Sequence, residues 1–204
     1  QLSGGLRQRV MIAMALAQNS RLVVADEPTT ALDVSVQSQI LDLFVDLKAS
    51  TDASFLFITH DLNAAAKISD NIAVMYSGKI VEFGSVAQVM HEPQHPYTQS
   101  LLSSRIDLHS DPSRPLPVTT GAPNDPGVSS GGCDYRQRCH HATGRCVTRE
   151  PMPASVGAAA TETQLVLCHN ASGGHDARPI SPAALPAVRK SNATALVLND
   201  LHKT

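Results

Sequence analysis

Apolar residues along the first 95 positions follow two alternating periods. After Ser3-Gly4-Gly5, the residues Leu6, Val10, Ala13, Met14 and Ala17 recur at helical spacing. The short apolar run Leu22-Val23-Val24-Ala25 then predicts a buried strand, closed by the adjacent carboxylates Asp26 and Glu27. Asp33 stands where an N-cap would start a helix with Val36, Ile40, Leu43, Phe44 and Leu47 on one face. SFLFITHD, residues 54–61, predicts a second buried strand, and LNAAAKIS a short helix. NIAVMYSGKIVEFG predicts a hairpin turning at Ser77-Gly78. Strands alternating with helices predict an α/β fold, a parallel sheet with an antiparallel pair at its end. Both parallel strands are apolar enough to predict burial on both faces.

The pattern changes after Pro96. HPYTQSLLSS predicts a short helix with Pro96 in its first turn, packing Tyr97 and Leu101 against the sheet. Residues 111–131, dense in Pro, Gly and Ser, predict loop, and 171–192 a linker. TALVLNDLHKT at the end resumes a strand-like pattern. The chain thus divides into 1–95, 96–170, 171–192 and 193–204.

Composition narrows the classes. Hydrophobic residues make up 42% of the chain but aromatics only 3%, with no Trp, so a core must rest on Leu, Ile, Val, Ala and Met. A net charge of -2 gives no global argument for nucleic acid or an anionic membrane surface. No apolar run approaches the roughly 18 to 20 residues needed to span a bilayer, and no signal peptide is evident. The chain does not begin with Met and opens directly on a motif, which suggests a piece of something longer.

Two short stretches carry chemistry. Paired acids at the carboxyl end of a buried strand suggest a metal and a general base acting on a phosphate. Ser3, Gly4 and Gly5 open a helix, whose N-terminal N–H groups and partial positive charge form a phosphate site. Taken alone, the same residues could be a capped helix and nothing more.

In order and spacing, QLSGG, RLVVADEPTTALD and FITHD resemble the signature, Walker B, D-loop and H-loop of ATP-binding-cassette (ABC) ATPases. The resemblance covers about residues 1–95 and implies the C-terminal part of a P-loop NTPase sheet, followed by an irregular Cys-containing extension. It implies that Asp26 holds Mg²⁺, that Glu27 is the general base, and that His60 contacts the γ-phosphate of ATP. Asp33 would act across a dimer interface, and Ser3, Gly4 and Gly5 on nucleotide held by a partner's P-loop. The motif G-x-x-x-x-G-K-[ST] is absent from these residues. The chain by itself is therefore expected not to hydrolyse ATP, and to be poorly soluble for want of the strand its sheet packs around. Leu6 stands where many members have Gln.

HEPQHPYTQSLLSS, residues 91–104, resembles the extension that follows the ATPase core in oligopeptide and dipeptide importers. It marks the family; spacing assigns His91 and His95 no ligand role. Cys133, Cys139, Cys146 and Cys168 are spaced C-x5-C-x6-C-x21-C. Two disulfides, zinc, an iron–sulfur cluster and free thiols are the open readings. A reducing cytoplasm disfavours disulfides, and the gaps are wider than the close pairs usual for zinc. His140, His141 and His169 keep mixed zinc ligation open, and Arg136, Arg138 and Arg145 could offset thiolate charge or be solvated surface. The block resembles the cysteine motif of peptide-importer ATPases, some of which carry a [4Fe–4S] cluster, and that resemblance favours the cluster over zinc.

The resemblance implies an ATP-hydrolysing subunit on the cytoplasmic face of the membrane. Its partners would be a second ABC ATPase domain, transmembrane permease subunits and, indirectly, an extracytoplasmic peptide-binding protein, with no nucleic acid. ALVLNDLHKT resembles the first strand of another such domain, which would make the parent a tandem fusion. The alternatives are an importer of nickel or another small solute and a non-catalytic metal-binding remnant. A DNA-repair ATPase would be expected to carry long heptads or close Cys pairs, and neither appears.

Overall fold

The computed structural model describes residues 3–104, 131–156, 164–171 and 178–179, which fall into two compact units dividing between Asp70 and Asn71. The expectations for most of 111–131, most of 171–192 and all of 193–204 lie outside the described residues.

The first unit runs α1 (Gly4–Leu16), β1 (Leu22–Asp26), α2 (Val34–Ser50), β2 (Ser54–Ile58) and α3 (Leu62–Ile68). β1 and β2 pair in parallel, from Leu22 opposite Ser54 to Asp26 opposite Ile58, with α2 as the crossover that parallel pairing demands. Asp33 caps α2 as expected, its Oδ1 accepting from Val36 N at 2.9 Å. The face expected on α2 is the buried one. Ile40, Leu41 and Phe44 form the core with Ile12, Ala25 and Ile68, and Phe44 meets the rings of Phe55 and Phe57 edge-on at 5.9 and 5.4 Å.

Two expectations need correction here. β1 buries Val23 and Ala25 but leaves Leu22, Val24 and Asp26 exposed, so only one of its faces is covered. The reason is that α2 packs on one side and no described residue covers the other. α1 exists where expected, yet the expected stripe is not its core face: Leu6, Val10 and Met14 are exposed and Ile12 is buried. The helix is apolar on more than one side, so periodicity could not choose. The choice is made by contact with α2, where Gly5 lies against Val36 and Arg9 Nη2 donates to Gln39 Oε1 at 2.9 Å.

The second unit begins with the expected hairpin, β3 (Asn71–Tyr76) and β4 (Lys79–Ser85). Its two-residue turn holds Ser77 at φ 52° and Gly78 at φ 80°, the left-handed pair that matches strand twist. Among the described residues the hairpin belongs to an antiparallel sheet of order β3-β4-β6-β5-β7, completed by β5 (Ala154–Val156), β6 (Gln164–Val166) and β7 (Arg178–Pro179), and not to the end of a parallel sheet as expected. The Cys-containing extension expected to be irregular therefore supplies strands to the hairpin's sheet. Three helices accompany it: α4 (Val86–His91), α5 (Pro96–Ser103) and α6 (Gly144–Thr148). α5 is the expected helix with Pro96 at its start. α4 was not anticipated, although its Ser85/Gln88 capping box is written in the sequence.

This unit is organised by one buried carboxylate. Glu82 on β4 has no exposed surface; its oxygens accept from Gln94 N at 2.7 Å, His95 N at 3.1 Å and Gln164 Nε2 at 2.6 Å. It thus ties β4 to β6 and to the entry of α5. His95 is buried too and caps α5, its Nδ1 accepting from Tyr97 N at 3.0 Å; burial pushes its pKa down to about 4, so the ring is neutral and able to accept. Tyr97 packs on Tyr76 and Tyr135 with ring centroids 4.7 and 5.5 Å away. Replacing Glu82 with Ala leaves Gln94 N and His95 N without their acceptor and Gln164 Nε2 with only Glu92 O, and we expect a loss on the order of 3 kcal/mol. Urea unfolding checks the magnitude; faster amide exchange at Gln94 and His95 identifies the cause.

Candidate functional site

β1 and β2 end side by side, and the residues just beyond them meet. The pairing continues one step past β1, where Glu27 N donates to Ile58 O at 2.9 Å. Glu27 then turns into the left-handed region at φ 44° and starts a tight turn over Pro28 and Thr29, closed by Thr30 N donating to Glu27 O at 3.1 Å. His60 follows β2, and its Nδ1 lies 3.0 Å from Glu27 Oε1. Thr30 Oγ1 donates to the other carboxylate oxygen, Oε2. The hydrogen bond from Thr30, and next that from His60, hold the Glu27 carboxyl below its ordinary 4.5. Glu27 in turn raises His60 above its ordinary 6.5. His60 is largely exposed, its side chain 79% accessible.

Asp26, the last residue of β1, is exposed on the open face, and among the described residues its carboxylate has no hydrogen bond. Asp33 is instead committed to structure. Its Oδ1 accepts from Ser35 Oγ at 2.6 Å as well as from Val36 N, and these bonds hold its carboxyl below 3.8.

Ser3 caps α1, with Leu6 N donating to its Oγ at 3.4 Å. A Cβ on Gly5 would lie 2.6 Å from Val36 Cγ1, and one on Gly4 3.2 Å from Leu32 Cδ2. Gly5 is therefore required for packing against the start of α2, whatever ligand the turn receives. The sequence residues resolve into two groups: Glu27 and His60 in direct contact, and Ser3, Gly4 and Gly5 against the segment capped by Asp33. Sequence reasoning missed Thr30, although Glu-Pro-Thr-Thr reads as a turn that returns a hydroxyl to the Glu.

In the other unit all four cysteines are free thiols, and Cys146 is buried. Each thiol accepts a backbone N–H: Cys133 from Tyr135, Cys139 from His141, Cys168 from Asn170 at 3.3 Å and Cys146 from Thr143 at 3.5 Å. Burial, the largest influence, raises Cys133 and Cys139 and pushes Cys168 up to about 11. Cys168 feels the charges of the other three, which places the four thiols in one neighbourhood. Among the described residues, however, no three His, Cys, Asp or Glu side chains stand close enough to hold a metal ion. The soft donors and their N–H partners suit thiolate ligation, but their spacing here does not provide the ligand set expected of an iron–sulfur or zinc site. No described helix is long and apolar enough to cross a membrane.

Comparison with known proteins places these features. Residues 81–146 match the family model described as the oligopeptide/dipeptide transporter C-terminal region, and residues 1–30 the ABC transporter model. The chain is 53% identical over 125 residues to the oligopeptide transport ATP-binding protein OppD of Bacillus subtilis (strain 168), covering 61% of this chain and 35% of that protein. It is 47% identical over 141 residues to the dipeptide transport ATP-binding protein DppD of the same strain, covering 68% of this chain and 41% of that one. The chain thus spans between a third and a half of these relatives. Among solved structures, the ADP conformation of MJ1267, an ATP-binding cassette of an ABC transporter, aligns over 46% of this chain and 38% of that one at 31% identity; its TM-score of 0.41 is too low to bear on the fold.

The contact between Glu27 and His60 sets a pH window. Glu27 contributes stability that is present above its unfolded value of 4.5 and lost as pH falls through its lower folded value. His60 contributes stability present below its unfolded value of 6.5 and lost as pH rises through its higher folded value. The charged pair is complete between these limits. We expect the His60 ring, followed by NMR, to titrate above 6.5 in the native protein and to return to about 6.5 in Glu27→Gln. Identical titration in both proteins shows that the pair does not form in solution.

Proposed function

Because this chain belongs to the oligopeptide/dipeptide transporter branch of the ABC family, we propose that it forms part of an ATP-hydrolysing subunit that drives peptide import. The observation that carries this reading is the Glu27–His60 contact, 3.0 Å across the ends of two parallel strands, in a segment whose first 30 residues match the ABC transporter model. Open α/β sheets bind ligands beyond the carboxyl ends of their strands, where both residues sit.

In this mechanism Glu27 takes a proton from the water that attacks the γ-phosphate. Its ionisation is secured by the donors Thr30 and His60. With Nδ1 turned to Glu27, His60 leaves Nε2 free for a γ-phosphate oxygen. Asp26, exposed and without a partner among the described residues, would hold Mg²⁺, which supplies charge neutralisation on the phosphates when bound. Ser3, Gly4 and Gly5 at the start of α1 would receive nucleotide held by the P-loop of a second ATPase domain, and Asp33 would lie along that interface. The phosphate cradle must come from residues outside these 204. Transmembrane permease subunits, contacted at the cytoplasmic face of the membrane, and an external peptide-binding protein would complete the system and select the solute. Peptide is favoured over nickel by the matches to OppD and DppD.

We expect Glu27→Gln, in the ATPase that includes a P-loop, to lower hydrolysis about 10²- to 10⁴-fold while ATP binding persists. Hydrolysis at the wild-type rate overturns the assignment of Glu27. Peptide uptake by cells carrying the wild-type and variant subunits tests the substrate class.

A second proposal concerns the cysteines. It rests on the resemblance of the cysteine block to that of peptide-importer ATPases: Cys133, Cys139, Cys146 and Cys168 would form a metal–thiolate site, with a [4Fe–4S] cluster ahead of zinc, and the thiols would have to draw closer together than they stand here. Iron and acid-labile sulfide near four per chain are expected after anaerobic purification. Zinc assigns the thiols to that metal instead, and metal-free protein with full ATPase activity removes the site.

A further inference from the structure

The Glu27 carboxylate is held at both oxygens by groups from different parts of the chain. His60 approaches Oε1 from the end of β2, and Thr30 reaches Oε2 from three residues further along the turn. The same Thr30 closes the backbone of that turn through its N–H to Glu27 O. Glu27 itself sits at φ 44°, a conformation that costs an ordinary residue of order 1–3 kcal/mol and persists only where its surroundings fix it. Two backbone bonds, to Ile58 and Thr30, provide that fixing. A carboxylate on such a backbone still has rotamers to choose from. The hydroxyl of Thr30, together with the imidazole, leaves it one orientation.

We propose that Thr30 is a positioning residue for ATP hydrolysis, its hydroxyl orienting the Glu27 carboxylate so that the oxygen shared with His60 faces the attacking water. The proposal rests on the reading of Glu27 as general base. Thr30 touches neither water nor phosphate in this role; it acts through Glu27 alone. The plainer possibility is a turn hydroxyl satisfied by the nearest acceptor, which would affect stability and leave the chemistry unchanged.

Thr30→Val removes the donor and keeps the branched shape, and Thr30→Ser keeps the donor and loses the methyl. In the ATPase that includes a P-loop, Thr30→Val should lower kcat about tenfold with KM for ATP unchanged. Thr30→Ser should restore the wild-type kcat, and Thr30→Ala, with less bulk in the turn, should reproduce the defect if the valine protein folds poorly. If Thr30→Val keeps the wild-type kcat while Glu27→Gln is inactive, the role of Thr30 is overturned and the general base stands. If Glu27→Gln is itself active, the general base fails and Thr30 has nothing to position.

Discussion

The in-register parallel pairing of β1 with β2 is the constraint on which the candidate site depends. Glu27 and His60 are 33 residues apart, and only the alignment of Asp26 with Ile58 brings them to the same end of the sheet. The ladder runs one residue beyond β1, through Glu27 N to Ile58 O, so the first residue of the site is also the last of the sheet. A slip of one position would move Val23 and Ala25 out of the core and separate the acid from the imidazole. Burial of those two side chains, with Ala25 in the cluster formed by Ile40, Leu41 and Phe44 of α2, therefore fixes the chemistry as well as the fold.

Small residues in the first unit serve two purposes at once. Gly5 lets α1 approach Val36 and is also a candidate phosphate contact. Asp33 caps α2 and is also a candidate interface residue. Thr30 closes a turn and holds a carboxylate. A substitution at any of these positions changes packing and chemistry together, so loss of activity by itself would not distinguish them. Rescue by a variant that preserves one property and removes the other does.

The second unit solves a different problem. With few aromatics, it concentrates Tyr76, Tyr97 and Tyr135 beside a buried His95 and organises the surrounding backbone on Glu82. The buried Glu82 side chain is tolerated there because its oxygens receive three N–H donors. Lys79 at the hairpin turn reaches Asp134 at 3.0 Å and Glu150, tying β4 to the cysteine segment. The sequence block that marks the family is thus held by these polar contacts as well as by buried apolar side chains such as Val81, Val89 and Val166.

The sequence by itself determined the local elements: the Asp33 cap, the apolar face of α2, the left-handed Ser77-Gly78 turn and Pro96 at the start of α5 each follow from one residue's backbone or side-chain preference. It also marked Asp26, Glu27 and His60, because their residue types fall in a recognisable order. Tertiary structure alone decided the rest, for reasons of long-range contact. Which side of α1 is buried depends on Gly5 meeting Val36, since the helix is apolar on more than one side. Extension of the hairpin into a larger antiparallel sheet depends on β6, about 80 residues further on, pairing with β4 through Glu82 opposite Val166. The role of Glu82 could not be read because an isolated Glu in a strand is ordinarily a solvated one. The clamp by Thr30 and His60 required Oε1 and Oε2 to be placed in space, which no spacing rule does.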